Sequence, residues 1–282
     1  MNILIDIGNT RLKWIFADCA ALIHNNVERT DNNKLVNEAN GVNSKLTSSA
    51  VEKDIQTALG DLCPMYEGVL FYRQQNVCLE LRSAWQLLPE PQIVAIASVG
   101  ATQLVTDMIE LIQQLWPQVK LVIPKVSAAA FGVINAYPES EKLGIDRWLT
   151  LLAAHQYYPG FTCIVDCGTA VTIDVLTEQG LHLGGVICPG LQTMKQSLAV
   201  NTASLGVYTQ AHDLALACNT ATAIANGTLY AVVGMIENVM TQFPALNQLI
   251  VTGGDAVEIT AHLSLKSWVD KNLVFKGLSL FC

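Results

Sequence analysis

The chain lacks any run of about 18 apolar residues, so no segment reads as a membrane-spanning helix. It is poor in charge, with 14% Asp, Glu, Lys and Arg against about 25% in an ordinary soluble domain. Basic residues are the scarcer kind, 16 against 24 acidic ones, and they form no cluster. A net charge of −8 without a basic patch argues against nucleic acid, whose phosphates are held by grouped Lys and Arg. It also means that any polyanionic substrate must be gripped locally, by backbone N–H groups and added cations. The eight cysteines include no Cys-x-x-Cys pair and no His at zinc spacing. Several sit in apolar runs such as Thr162-Cys163-Ile164-Val165, as buried, reduced thiols of a cytoplasmic protein do. Met1-Asn2-Ile3-Leu4-Ile5-Asp6 has no basic stretch and meets an acid at once, so it does not read as a signal peptide. Gly-x-x-x-x-Gly-Lys-[Ser/Thr], Gly-x-Gly-x-x-Gly, Gly-x-Ser-x-Gly and His-Glu-x-x-His are all missing. The five histidines share no spacing and read as surface or core residues.

What is present is apolar: 51% of 282 residues, enough for one large domain or two medium ones with a substantial core. Residues 2–5 form an apolar run ending at Asp6-Ile7-Gly8-Asn9-Thr10, and Leu12-Lys13-Trp14-Ile15-Phe16 resumes in alternation, which predicts strand, turn, strand. The stretch 18–90 is marked by loop signals at Asn25-Asn26, Asp31-Asn32-Asn33 and Asn40-Gly41. Ile93 to Ser98 reads as a buried strand, Gln103 to Trp116 as a helix stopped by Pro117, and Lys120 to Ile123 as another strand. The opening pattern then returns, 160 positions on, at Cys163-Ile164-Val165-Asp166-Cys167-Gly168-Thr169-Ala170 with Val171 to Val175 as partner strand. A helix is expected over about 219–242, then a strand at Gln248 to Val251. Two halves of similar α/β build follow, divided near Trp116–Lys120 into 1–118 and 119–282.

Each Asp-x-Gly turn has two readings. It is an ordinary β-turn, or it is a phosphate turn in which glycine admits the ligand and the aspartate holds a cation or its waters. Two such turns facing each other would grip a nucleotide polyphosphate with Mg²⁺ between. Gly144-Ile145-Asp146-Arg147-Trp148 opens a helix. There Asp146 is either a cap beside a solvated Arg147, or a proton acceptor for a substrate hydroxyl with Arg147 on a substrate carboxylate. Gly184 to Gly190 reads as a strand bounded by turns. Thr252-Gly253-Gly254 is a tight turn or a bed for a flat base. Phosphoryl transfer is the chemistry these residues support best.

Taken together, Asp6-Ile7-Gly8-Asn9-Thr10, Leu143-Gly144-Ile145-Asp146-Arg147-Trp148, Asp166-Cys167-Gly168-Thr169-Ala170-Val171-Thr172-Ile173-Asp174, Gly184-Gly185-Val186-Ile187-Cys188-Pro189-Gly190 and Thr252-Gly253-Gly254 stand in the order found in type III pantothenate kinases. The chain resembles that family. The resemblance implies an actin-like ATPase fold, in which two ribonuclease-H-like domains flank a nucleotide cleft. It further implies ATP-dependent phosphorylation of pantothenate, the first step toward coenzyme A, by a homodimer. Asp6, Ile7, Gly8, Asn9, Thr10, Arg11, Leu12 and Lys13 would form the first phosphate loop, with Asp6 handling Mg²⁺, through water or directly. Gly168 and Thr169 would contact ATP, Asp166 a monovalent cation (K⁺ or NH₄⁺), and Gly253 and Gly254 the adenosine. Tyr137, Gly144, Ile145, Asp146 and Arg147 would bind pantothenate with Asp146 as proton acceptor, and Thr202 would reach it across the dimer. Ala97-Ser98 stands where many members have two serines. The competing expectations are a non-catalytic accessory protein on the same fold, or another small-molecule kinase or polyphosphate hydrolase.

Overall fold

The structure, a computed structural model, describes residues 1–22, 27–30, 66–71, 76–100, 102–202, 206 and 213–282. The loop signals expected at 25–26, 31–33 and 40–41 lie outside these residues. In chain order the first half supplies β1 (Asn2–Ile7), β2 (Leu12–Ala17), α1 (Cys19–Leu22), β3 (Val27–Thr30), β4 (Tyr66–Leu70), α2 (Val77–Trp85), β5 (Ile93–Ser98), α3 (Thr102–Leu115) and β6 (Lys120–Val122). There follow β7 (Ala129–Ala130), β8 (Val133–Ile134), α4 (Ile145–Tyr157), β9 (Thr162–Cys167), β10 (Ala170–Leu176), β11 (His182–Pro189) and α5 (Leu191–Asn201). The chain continues through α6 (Thr220–Gln242), β12 (Gln248–Thr252), α7 (Ala256–Thr260), β13 (Ser267–Asp270) and α8 (Leu273–Ser279).

The repeat seen in the sequence is a repeat of topology. One sheet runs β4-β2-β1-β5-β6 and the other β11-β10-β9-β12-β13, with β3 added to its edge. In each, an antiparallel hairpin is followed by two parallel strands. Both therefore have the strand order of a ribonuclease-H-like domain, and the fold is that of the actin-like ATPases. β6 lies just past the expected division at 118/119 yet pairs with β5 in the first sheet. Pro117 ends α3 and feeds an edge strand of the same sheet, so the crossing between halves comes after β6. β3 is the converse, a strand of the first half that pairs antiparallel with β13 of the second.

Side chains alternate across each strand, and this decides what faces what. Ile3, Ile5 and Ile7 of β1 join Trp85, Met108 and Leu111 in an outer core under α2 and α3. Cys163, Val165 and Cys167 of β9 join Leu229, Val232 and Ile236 in the matching outer core under α6. The intervening positions, Leu4 and Ile164, enter a third core that α4 and α8 fill from between the sheets. α4 is apolar nearly all round and buried at Ile145 and from Arg147 to Ala154, as a helix sandwiched between layers must be, with Asp146 only partly covered. Gly277 lets α8 approach it closely, since a Cβ there would sit 2.0 Å from the Leu149 carbonyl oxygen. By the same alternation Asp6 and Lys13, Asp166 and Asp174 belong to the inner faces, toward α4.

Candidate active site

The β1–β2 turn brings Asp6 opposite Lys13 across the hairpin and closes with the Gly8 N–H donating to the Arg11 carbonyl at 3.0 Å. The β9–β10 turn places Asp166 opposite Thr172 and closes with the Gly168 N–H on the Ala170 carbonyl, also at 3.0 Å. The tips meet: the Thr10 and Thr169 hydroxyl oxygens are 3.1 Å apart. At neither turn does the fold itself require glycine. A Cβ on Gly8 would come no closer than 3.4 Å to the Arg11 carbonyl, and one on Gly168 no closer than 3.7 Å to that of Ala170. The open face at each is space for something from outside, which is what a backbone that cradles phosphate needs. Gly190 and Gly253 differ. A Cβ on Gly190 would meet the Gly168 carbonyl oxygen at 2.1 Å, and one on Gly253, at φ 95°, would meet the Cys167 carbonyl oxygen at 2.4 Å. These two carry the second turn from beneath. Arg11 reaches toward Gly254 and stacks over Phe71 at 5.9 Å. Ile7 and Leu12 are buried core residues, so only their backbone could serve a nucleotide.

Three carboxylates converge on this region. Burial pushes Asp6 up to about 7, with Asp146 and Asp166 adding repulsion and Lys13 partly offsetting both. Asp166 is pushed up to about 6, again by burial first, with Lys13 and Arg11 lowering it and Asp146 raising it. Asp146 is raised by burial against the pull of the Arg147 N–H and charge. Such a group is short of positive charge. Among the described residues no set of three His, Cys, Asp or Glu side chains closes tightly enough to cage a metal by itself. The donor set fits a hard cation that keeps waters and takes its remaining ligands from phosphate. Ser98, at the end of β5 where it pairs with Ile7, has a buried hydroxyl with no partner in the protein, a further donor for water or ligand.

At the start of α4 the N-cap position falls on Gly144, without a side-chain cap hydrogen bond, and the Asp146 carboxylate, inside the first turn, accepts the Arg147 N–H at 2.8 Å. A Cβ on Gly144 would lie 2.5 Å from that same carboxylate oxygen, which explains the glycine. Arg147 is not solvated. It is 5% exposed, and its Nε and Nη2 donate to Asp174 at 2.8 and 2.6 Å. Its Nη1 donates to the Tyr137 hydroxyl at 3.0 Å, so the open guanidinium anticipated for a substrate carboxylate is already forked onto an internal one. His182 Nε2 lies 2.8 Å from the same Asp174 oxygen, and its ring stacks parallel to Tyr137 at 6.2 Å. Asp174 and His182 are the residues sequence reasoning missed. The available signal was an acid on the inner face of the apolar strand Val171-Thr172-Ile173-Asp174-Val175, since a buried acid demands a cationic partner. Thr202 stands apart from this set: it ends α5, and its hydroxyl donates to the Leu198 carbonyl at 2.7 Å.

The family model for type III pantothenate kinases matches residues 72–242. A type III pantothenate kinase of Nitrosococcus oceani is 32% identical, with 99% of this chain and 92% of that protein covered. One from Dichelobacter nodosus is 28% identical, covering 99% and 96%. Among solved structures, a Campylobacter jejuni protein assigned to the Baf family of transcriptional activators superposes with TM-score 0.54 at 18% identity, covering 99% of this chain and 96% of that one. The ethanolamine utilization protein EutJ of Carboxydothermus hydrogenoformans gives 0.51 at 11% identity, covering 99% and 89%.

Proposed function

The chain belongs to the type III pantothenate kinase family and phosphorylates pantothenate from ATP in coenzyme A biosynthesis, and on that premise we propose how its residues divide the work. The ATP polyphosphate lies between the β1–β2 and β9–β10 turns, on the open faces of Gly8 and Gly168. Asn9, Thr10 and Thr169 add polar contacts, and Arg11 and Lys13 add positive charge. Asp6 takes Mg²⁺, through water, and Asp166 takes K⁺ or NH₄⁺. Bound there, these ions supply the positive charge that the transferring phosphoryl group needs and the acidic protein lacks. Gly253 and Gly254 lie against the adenosine.

Tyr137, Gly144, Ile145 and Arg147 hold pantothenate with its terminal hydroxyl at Asp146. The hydroxyl oxygen bonds to the γ-phosphorus as the bond to the ADP oxygen breaks, and the hydroxyl proton passes to Asp146. A loose transition state asks the alcohol for orientation before deprotonation, so a carboxylate fixed by the Arg147 N–H is adequate. Burial, by raising its pKa, makes it a stronger base than a solvated aspartate. The observation that carries this reading is the meeting of three raised carboxylates at two matched turns and a helix N-terminus.

The working unit is a homodimer. An apolar groove between α5 and α6, lined by Met194, Leu198 and Ile224 among others, supports it. So do Val200 and Ile187, aliphatic residues 82% and 60% exposed on α5 and β11. In the dimer Thr202 of the partner completes the pantothenate site. Sedimentation showing a strict monomer would remove Thr202 from it. The cytoplasm is the compartment we assign, on the free state of the seven described cysteines.

The test is phosphorylation of pantothenate by ATP in potassium and in sodium buffer, with wild type beside Asp146→Asn. Potassium-dependent activity, lost in the folded variant, is the expected result. Activity retained by Asp146→Asn would cost that residue its role, and a wild type inert toward pantothenate would overturn the assignment.

A further inference from the structure

Arg147, Asp174 and His182 come from three different elements, yet they are buried together at 5, 1 and 1% exposure. We propose that Asp174 and His182 are positioning residues for substrate recognition: Asp174 locks the Arg147 guanidinium, and His182 locks both Asp174 and the Tyr137 ring. This rests on the assignment of Arg147 and Tyr137 to pantothenate.

The geometry is over-determined in a way that plain packing does not need. Two parallel N–H···O bonds, from Nε to Oδ2 and from Nη2 to Oδ1, fix the guanidinium plane against β10. Nη1 is thereby aimed at the Tyr137 hydroxyl. The Ala136 N–H donates to His182 Nδ1 at 3.3 Å, so the imidazole proton belongs on Nε2, where it donates to Asp174 Oδ1. One backbone N–H therefore sets the tautomer that holds the carboxylate. The same ring stacks on Tyr137, the residue following Ala136, at an interplanar angle of 9°. Gly185 belongs to this arrangement too. It pairs with Asp174 across β10 and β11, and a Cβ there would lie 2.5 Å from Asp174 Oδ1 and 2.6 Å from Arg147 Nη2. The Cβ would meet the Ile173 carbonyl oxygen closer still, at 2.2 Å, so the backbone of β10 requires this glycine as well as the fork.

A buried ion pair of this kind contributes little net stability compared with apolar residues of the same volume. What it supplies is direction: a guanidinium edge and a phenol hydroxyl held as one pair of polar groups at the start of α4, next to Asp146. A substrate's polar end bound by that pair would place its hydroxyl at the carboxylate without reorganising long side chains.

The experiment measures steady-state kinetics with pantothenate and ATP varied separately, for wild type, Asp174→Asn, His182→Leu and His182→Gln. Asp174→Asn should raise KM for pantothenate about 10- to 100-fold, the worth of a charged hydrogen bond, with KM for ATP nearly unchanged. His182→Leu should raise it about tenfold. His182→Gln should restore most of the loss, because its amide can still donate to Asp174. Equal changes for both substrates, or no rescue by Gln, would overturn the proposal. If Asp174→Asn does not fold, the two His182 variants decide.

A second readout needs no substrate. The Arg147 Nε–H resonance of the wild type should exchange slowly with water, and an exchange rate like that of a solvated arginine would overturn the lock. A wild type inactive toward pantothenate would strike down the substrate assignment, while the Nε–H resonance would still judge the lock.

Discussion

The β1–β2 and β9–β10 turns occupy equivalent places in two sheets of equal strand order, yet they are chemically different. Between the last paired residues, Ile7 and Leu12, the first turn has Gly8, Asn9, Thr10 and Arg11; the second, between Cys167 and Val171, has only Gly168, Thr169 and Ala170. Asp6 faces Lys13 across its own hairpin, whereas Asp166 faces Thr172 and depends on Lys13 and Arg11 from the other half. The second turn is braced from below by Gly190 and Gly253, while Gly8 meets only its own turn. A repeated scaffold has thus been divided into a turn that brings cations and donors and a braced turn whose carboxylate has no counter-charge of its own. That second carboxylate is where an added cation has most to contribute.

The largest effect belongs to a residue in neither turn. Asp146→Asn should lower kcat by about 10²–10⁴ in single-turnover assays with both turns intact, and a smaller loss would place the chemistry in the turns themselves. Next come the glycines. Gly190→Ala should lower the melting temperature, by about 2–4 °C for each kcal/mol of the clash with the Gly168 carbonyl. Gly8→Ala and Gly168→Ala should leave melting nearly unchanged and raise KM for ATP about tenfold, the loss of roughly one good contact. Equal thermal penalties at all three would erase the distinction between braced and open turns. The cation division predicts that Asp166→Asn loses potassium stimulation while keeping its Mg²⁺ requirement, and that Asp6→Asn shifts the Mg²⁺ titration instead. Identical shifts in both titrations would merge the two sites.

The smallest effect is on stability against pH. Asp6 and Asp166 titrate at about 7 and about 6 in the folded protein and near ~4 when unfolded. The folded state therefore holds more protons between these values, and this contribution to stability falls as pH rises from about 4 to about 7. Without ions or nucleotide, wild type should lose a few degrees of melting temperature between pH 5.5 and 7.5, about 2–4 °C per kcal/mol. Asp6→Asn should lose less. An unchanged difference between the two proteins would mean that Asp6 is not starved of charge.

Both turns were legible because each lies where a short apolar run stops at Asp-x-Gly, a local pattern. The helix now known to run Thr220–Gln242 was legible for the same reason, with Asn219 capping the Thr222 N–H. Asp174 and His182 were not, because what matters about them is a pairing across 27 positions to Arg147 and the register that sets Gly185 opposite Asp174. The pairing of β6 with β5 was not legible, because a three-residue edge strand beside the expected division reads alike in either half. β3 lies among the loop signals of 18–90, and its partner is in the other sheet.

That last pairing has a meaning on the ribosome. Roughly 240 residues separate Thr30 from its partner Ser267, and α8, which packs on β1 and β5, follows β13. At about 5–20 residues per second, β3 waits roughly 10–50 s for the strand it joins. The first hairpin can close early, but the core on the inner face of β1, which α4 and α8 fill together, stays incomplete until α8 has been made. Arrested chains that stop short of Ser267 should therefore bind no nucleotide, leaving only finished polypeptides to draw on the cell's ATP.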